Sequence, residues 1–243
     1  IRAPVGTVLH TGDWKFDPDP VVGDPYDAEA LQRLGDEGTL AIVCDSTNVF
    51  SPGTSGSEGD LLESLTELIS TLNERVVVTC FASNVARLET IAAAAAANDR
   101  DVVLSGRALW RFSEVGRAHG CLRDTPAFLD EDQAGFLPRD KTLIVCTGSQ
   151  GEPRAALARI ASGNHPRVSL EEGDTVIFSS RIIPGNETSI GRLQNQLVRS
   201  GIHVMTERDH FVHVSGHPAR DELIQMYQHV RPSIAIPVHG ELR

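Results

Sequence analysis

The sequence predicts an α/β protein built on a mostly parallel sheet. Short apolar runs that read as strands alternate along the chain with segments of helical periodicity, the pattern of layered α/β domains. The unusual polar residues fall just after the strands. In an open parallel sheet those loops share one edge, and ligands bind there.

Thr7–His10 and Leu40–Cys44 read as strands, and Asp45 to Gly56 as a loop rich in Ser, Pro, Gly and Asn. Glu58–Leu72 carries apolar residues at helical spacing, with Ser57 as its expected N-cap. Arg75–Phe81 is a strand, Val85–Ala97 a helix with a strongly helix-forming Ala run, and Asp101–Ser105 a strand. Residues 107–118 read as helix, and 119–141, with Pro126 and Pro138, as irregular. Thr142–Cys146 is a strand that runs into the Gly-rich turn Thr147–Glu152. Pro153 then opens a helix to about Ser162. Asp174–Ser179 and Ile202–Thr206 are strands around a helix over Glu187–Ser200. Pro218–Val230 is a helix opened by Pro, and Ser233–Val238 the last strand.

The 243 residues suffice for one large domain or two smaller ones. A net charge of −11 argues against a generic polyanion-binding surface but leaves room for a local phosphate site. The longest apolar run, Ile91–Ala97, is too short to span a bilayer, and no signal peptide is visible at the start. None of the four cysteines forms a C-x-x-C pair; Cys44, Cys80 and Cys146 end apolar runs. They read as buried, reduced thiols, which fits a cytoplasmic protein. The chain starts on Ile rather than Met and ends just after a His-Gly-Glu string. Both ends read as cuts in a longer protein.

Seven loops carry the candidate chemistry, Ile183-Pro184-Gly185-Asn186-Glu187 among them. Asp13, held by Gly12 beyond a strand, suits a hard cation, and His239 at a strand end suits zinc. His213-Val214-Ser215-Gly216-His217 reads as a strand-to-helix loop that offers imidazole, hydroxyl and backbone N–H to an anion. Asp45 is the candidate carboxylate to orient one of those histidines. Ser83-Asn84 and Ser149-Gln150-Gly151 precede helices, as N-caps or as phosphate receivers. Taken singly, each has a plain structural explanation: Asp13 and Asp45 as turn residues, His239 as a structural histidine. Neither G-x-x-x-x-G-K-[ST] nor G-x-G-x-x-G occurs, so nucleotide-cofactor binding of those types is unsupported.

Together these strings resemble the β-CASP branch of the metallo-β-lactamase superfamily and, within it, the ribonuclease J family. His10-Thr11-Gly12-Asp13 looks like motif 4, Asp45-Ser46-Thr47-Asn48 like motif A, and His217 in His213–His217 like the motif B histidine. Pro237-Val238-His239-Gly240-Glu241 looks like motif C. Phe81–Asn84 and Thr147–Glu152 are further strings similar to that family. The His-x-His-x-Asp-His metal motif does not occur.

The resemblance implies a partial metallo-β-lactamase αββα domain over 1–57 and 218–243, with a β-CASP domain inserted over 58–217. It implies two zinc ions, with Asp13 and His239 the ligands present and most of the others upstream of residue 1. His217 and Asp45 would be catalytic. His213, Val214, Ser215, Gly216, His217, Ser83, Asn84 and Ser149 would bind substrate. The implied reaction is hydrolysis of RNA phosphodiesters, 5′-to-3′ and endonucleolytic, on RNA that is 5′-monophosphorylated. No membrane partner is implied, and a homodimer or homotetramer is. Two other readings stay open: a fragment that binds nucleotide phosphates in the β-CASP cleft without cleaving, and a related nuclease acting on DNA.

Overall fold

A computed structural model describes residues 1–239. Gly240 and Glu241 of the motif C string lie outside the described residues. The chain divides into two compact units: Ile1–Ser57 with Val214–Arg243, and Glu58–His213.

The first unit holds a four-stranded sheet in the order β1 (Arg2–Ala3), β2 (Gly6–His10), β3 (Thr39–Asp45), β10 (Ile234–Val238). The pairs β2–β3 and β3–β10 are parallel, so those three strands end at one edge. Two helices accompany the sheet, α1 (Ala28–Glu37) and α7 (Arg220–Val230). Its core joins Ile42 and Cys44 of β3 to Leu223, Met226 and Val230 of α7, with Trp14, Phe16 and Leu31 packed against them.

Helix α1 was not expected. Four of its ten residues are charged, and it contains Gly35, a poor helix former. A Cβ on Gly35 would lie 2.2 Å from the His229 carbonyl oxygen. The glycine that weakens the helical signal is therefore what lets α1 approach α7. Asp27 caps the helix by accepting from the Ala30 amide at 2.8 Å.

The second unit is a six-stranded, all-parallel sheet: β6 (Leu129–Asp130), β5 (Asp101–Ser105), β7 (Thr142–Cys146), β4 (Val76–Thr79), β8 (Thr175–Phe178), β9 (His203–Met205). Every residue of β4, β7 and β8 is buried, as expected of parallel strands covered on both faces. Helices α2 (Leu61–Ser70), α3 (Val85–Ala97), α4 (Arg107–Ala118), α5 (Ala156–Ala161) and α6 (Glu187–Arg199) supply the cover. From β4 the chain crosses β7 to reach β5, and from β7 it crosses β4 to reach β8. The crossovers leave β4 and β7 in opposite directions, so right-handed connections send their helices to opposite faces. The crevice beyond the ends of β4 and β7 is thus a topological switch point.

Several boundaries move. Helix α2 starts at Leu61, and Ser57 is not its cap; the Ser57 hydroxyl donates to Asp17 Oδ1 at 2.6 Å. Pro153 lies in a turn, and α5 starts only at Ala156. Pro218 precedes α7 by two residues; the Glu222 carboxylate accepts from the Ala219 amide at 2.8 Å and fixes that start. Residues 119–141 are not wholly irregular: β6 and two short 3-10 turns, Glu131–Gln133 and Arg139–Lys141, lie within them.

Among the described residues no helix is long and apolar enough to cross a membrane. Cys44, Cys80 and Cys146 are buried free thiols. Burial pushes the Cys80 thiol up to about 12 and Cys146 up as well, so both stay protonated and poorly nucleophilic.

Candidate metal centre and nucleotide cavity

The parallel registers of the first unit explain how distant strings meet. His10 pairs with Val43, and Val238 with Asp45. The Thr11 amide donates to the Val43 carbonyl at 3.0 Å, and the Ser46 amide to the Val238 carbonyl at 2.8 Å. The ends of β2, β3 and β10 therefore leave the sheet side by side, with Asp13 and His239 just beyond β2 and β10 and Asp45 the last residue of β3.

Asp45 is fully buried and His217 half-buried. His217 Nδ1 lies 2.7 Å from Asp45 Oδ2. The other carboxylate oxygen accepts from the Thr47 amide at 3.0 Å and the Thr47 hydroxyl at 2.6 Å. Burial pushes this carboxyl up, but the bonds from Thr47 and His217 outweigh it and hold the group below its ordinary value. An ionised Asp45 accepts only, so His217 Nδ1 carries a proton and the pair fixes the ring by its Nδ1 edge.

The loop around His217 is pinned as well. Asn48 Nδ2 donates to Ser215 Oγ at 2.9 Å and to the His217 carbonyl at 3.2 Å, while the His217 amide donates to Ser215 Oγ at 3.0 Å. The Ser215 hydroxyl is thus committed to the loop, whereas Gly216 is exposed. Val214 is buried, with its Cγ1 3.2 Å from where a Cβ on Gly56 would sit.

Asp13 and His239 were the expected metal ligands. The geometry differs in part: Asp13, Asp45 and His217 offer ligand atoms within 4.8 Å of one another, and His239 stands outside that group. His239 Nε2 lies 3.6 Å from Asp13 Oδ1, and both side chains are exposed. Carboxylate oxygen with imidazole nitrogen is a donor set that zinc accepts. Both Asp45 oxygens already take hydrogen bonds, so Asp45 is better placed to orient His217, whereas Asp13 and His239 meet at the exposed surface.

The other expected substrate residues belong to the second unit. His213 Nδ1 lies 3.2 Å from Arg87 Nη1; arginine only donates, so this nitrogen accepts. Asn84 Oδ1 accepts from the Arg87 amide at 2.9 Å, so Asn84 caps α3. Ser83 is exposed, and Ser149 is buried. Ser149 lines a cavity of about 680 Å³ over the switch point, as do Phe81 and Ala82, whereas Ser83 and Asn84 do not.

Sequence reasoning missed the residues that support these groups. Thr47 had a place only in the plain reading of Asp45 as the cap of its own loop, which its two bonds bear out, and Asn48 had no role. Arg87 gave no signal, since an Arg in a helix ordinarily faces water. Arg107, Trp110, Arg154 and Arg159, which line the same cavity, are single residues at helix starts and turns and form no motif.

Residues 73–197, just over half of the chain, match the family described as ribonuclease J, beta-CASP domain. Residues 201–243 match the Zn-dependent metallo-hydrolase RNA specificity domain. The chain is 49% identical over 241 residues to ribonuclease J of Sinorhizobium meliloti, covering 99% of this chain and 43% of that protein. It is 42% identical over 244 residues to ribonuclease J of Corynebacterium glutamicum (100% of this chain, 34% of that protein). It is 37% identical over 243 residues to ribonuclease J of Thermus thermophilus (100% and 42%). The chain thus spans less than half the length of these relatives. The parallel sheet flanked by helices agrees with a metallo-β-lactamase and β-CASP architecture, and the chain belongs to the ribonuclease J family.

Proposed function

We propose that this chain serves in a metal-dependent ribonuclease that hydrolyses RNA phosphodiesters in RNA maturation and decay, acting 5′-to-3′ and endonucleolytically on 5′-monophosphorylated RNA. The observation that carries it is the Asp45–His217 pair within reach of Asp13. In this reading residues 1–57 and 218–243 form the metallo-β-lactamase part, and residues 58–217 the β-CASP part.

Asp13 and His239 would hold metal from a site of two zinc ions. Zinc, when bound, lowers the pKa of a coordinated water and stabilises charge on phosphoryl oxygens. His217 contacts the scissile phosphate or gives its leaving oxygen a proton, from a ring that Asp45 orients. His213, Ser83, Asn84, Ser149 and the 214–216 loop would line the substrate path.

The test is His217→Ala, assayed with 5′-phosphorylated RNA, with metal content measured alongside. Turnover should fall by about 10²–10⁴-fold, the usual worth of a general acid or base, with zinc content near that of the parent. Undiminished cleavage would refute the assignment.

A second reading is favoured by the small donor set. Asp13 and His239 are the two expected ligands among the described residues, and two are fewer than structural or catalytic zinc sites use. The chain would then bind nucleotide phosphates without cleaving. Stoichiometric zinc together with cleavage would exclude it, and parallel assays on RNA and DNA would decide the substrate.

A further inference from the structure

Two histidines of one loop, His213 and His217, meet opposite partners. The Asp45 carboxylate accepts from His217 Nδ1 at 2.7 Å, so the neutral His217 ring carries its proton there and leaves Nε2 as an acceptor. His213 Nδ1 lies 3.2 Å from Arg87 Nη1, and a guanidinium only donates. That nitrogen is therefore bare, and the neutral His213 ring carries its proton on Nε2. The two tautomers are opposite: Nε2 accepts in one ring and donates in the other.

The guanidinium that makes this choice is held from several sides. Arg87 stands in the first turn of α3, where its amide donates to Asn84 Oδ1 at 2.9 Å. The Asn84 cap thus sets where the arginine starts from. The side chain is wholly buried, a place a charge takes only with partners. Nε and Nη2 donate to the two oxygens of Glu58, at 2.5 and 2.9 Å. Nη1 also donates to the Ser179 hydroxyl at 2.7 Å, whose own proton goes to the Val212 carbonyl at 2.7 Å. Every bond around Nη1 therefore has its direction set, and turning the group would leave a buried donor unmatched. One cluster holds both the backbone before His213 and the His213 ring.

The other protonation states of His213 fail on the same contacts. A doubly protonated ring, or one with its proton on Nδ1, would turn an N–H toward the guanidinium and set two donors 3.2 Å apart. A lysine could not take the arginine's place. Its donors all sit on one nitrogen and cannot span Glu58, Ser179 and His213 together.

We propose that Arg87 is a positioning residue for the reaction, which fixes His213 as a hydrogen-bond donor through Nε2. In that state His213 neither takes a proton from the substrate nor ligates a metal through Nε2. It recognises an acceptor oxygen of the RNA and holds it. Proton exchange at Nε2 is left to His217, whose Nδ1 edge is the one Asp45 occupies. The inference rests on the ribonuclease reading only for the identity of the substrate.

The test is a long-range proton–nitrogen correlation spectrum of the imidazoles in the whole chain. It is recorded at about pH 8, above the ordinary histidine value of about 6.5. His213→Gln and His217→Gln assign the two rings among the nine histidines. His217 should show a protonated Nδ1. His213 should show a bare Nδ1 and a protonated Nε2, favoured at least about tenfold, as a charged donor's hydrogen bond supports. Glu58→Gln with Arg87→Met removes the pair together, so no unmatched charge stays buried. In that variant the His213 preference should be lost and the His217 pattern kept. A protonated Nδ1 on His213 in the parent would overturn the proposal, whether or not the variant folds. So would a preference that survives the double variant.

Adding a 5′-phosphorylated oligoribonucleotide should shift the His213 Nε2 resonance and leave Nδ1 in place. A shift at Nδ1 instead, or bound RNA with no shift at either nitrogen, would overturn the role given to the ring. The two readings fail separately. A chain with these tautomers that neither binds nor cleaves RNA sinks the ribonuclease reading and leaves Arg87 as the residue that sets His213.

Discussion

Arg87 grips Glu58 through both carboxylate oxygens, Nε to Oε1 at 2.5 Å and Nη2 to Oε2 at 2.9 Å, with the arginine side chain wholly buried. Its remaining nitrogen, Nη1, donates to the Ser179 carbonyl at 3.0 Å and hydroxyl at 2.7 Å, and to His213. Glu58 and His213 are the first and last residues of the second unit. One guanidinium therefore ties that unit's two ends to its core.

Removing one partner of a buried, hydrogen-bonded pair leaves an uncompensated charge and costs about 3–5 kcal/mol. Arg87→Met should lower the unfolding free energy by that amount in a denaturant titration. Glu58→Gln together with Arg87→Met should recover part of the loss. A single variant within about 0.5 kcal/mol of the parent would show that the pair is dispensable.

The Asp45–His217 contact predicts a graded effect on turnover. Asp45→Asn keeps the shape of the side chain but replaces a carboxylate that only accepts with an amide that can also donate, so it loosens the His217 ring. Cleavage should fall by about 10²-fold or more, with zinc content retained. If zinc is lost in proportion to activity, Asp45 is a ligand and the orienting role is wrong.

His165 gives a pH signature in the other unit. Its side chain is buried, and Nδ1 accepts from the Val168 amide at 3.1 Å. Burial holds the imidazole below its ordinary value, with Glu131 opposing and Arg159 assisting. The unfolded chain takes up this proton near pH 6.5, the folded chain only at lower pH. Stability should therefore decline as pH falls from about 6.5 towards the folded value, because the unfolded state binds more protons there. His165→Gln should flatten that limb relative to the parent between pH 7 and 5. Parallel curves would refute the assignment.

Gly106 joins the β5 and β7 loops. Its φ is +129°, and a Cβ there would lie 2.8 Å from Thr147 Oγ1. Gly106→Ala should destabilise by about 1–3 kcal/mol, since the β7 loop must shift to admit the added carbon. Thermal unfolding of the variant beside the parent checks it, and an unchanged midpoint would refute it.

Much of this was legible in the chain, for physical reasons. Strands buried on both faces must be apolar throughout, and Val76–Thr79 and Thr142–Cys146 read directly. A carboxylate at the end of an apolar strand was legible as the partner of one of two histidines, and the family resemblance singled out His217. Helix α1 was hidden by Gly35, whose purpose lies in a contact with α7 that local sequence does not contain. Arg87 was hidden because burial of a charge is decided by partners as far off as His213. Arg107, Arg154 and Arg159 were hidden because the edge of the sheet, not their spacing in the chain, brings them to one cavity.

The Asn48 bridge has one more consequence. Residues 48–53 are laced to the start of α7 by main-chain bonds: Arg220 amide to Ser51 carbonyl at 3.0 Å and Asp221 amide to Gly53 carbonyl at 3.1 Å. Asn48 also pairs with Ala219 as an isolated parallel bridge. Surface loops ordinarily tolerate changes of length, but this one has no slack. Inserting or deleting a single residue between Asp45 and Gly53 would throw the lacing out of step and carry the imidazole off its carboxylate. Variation in loop length should therefore collect elsewhere in the chain.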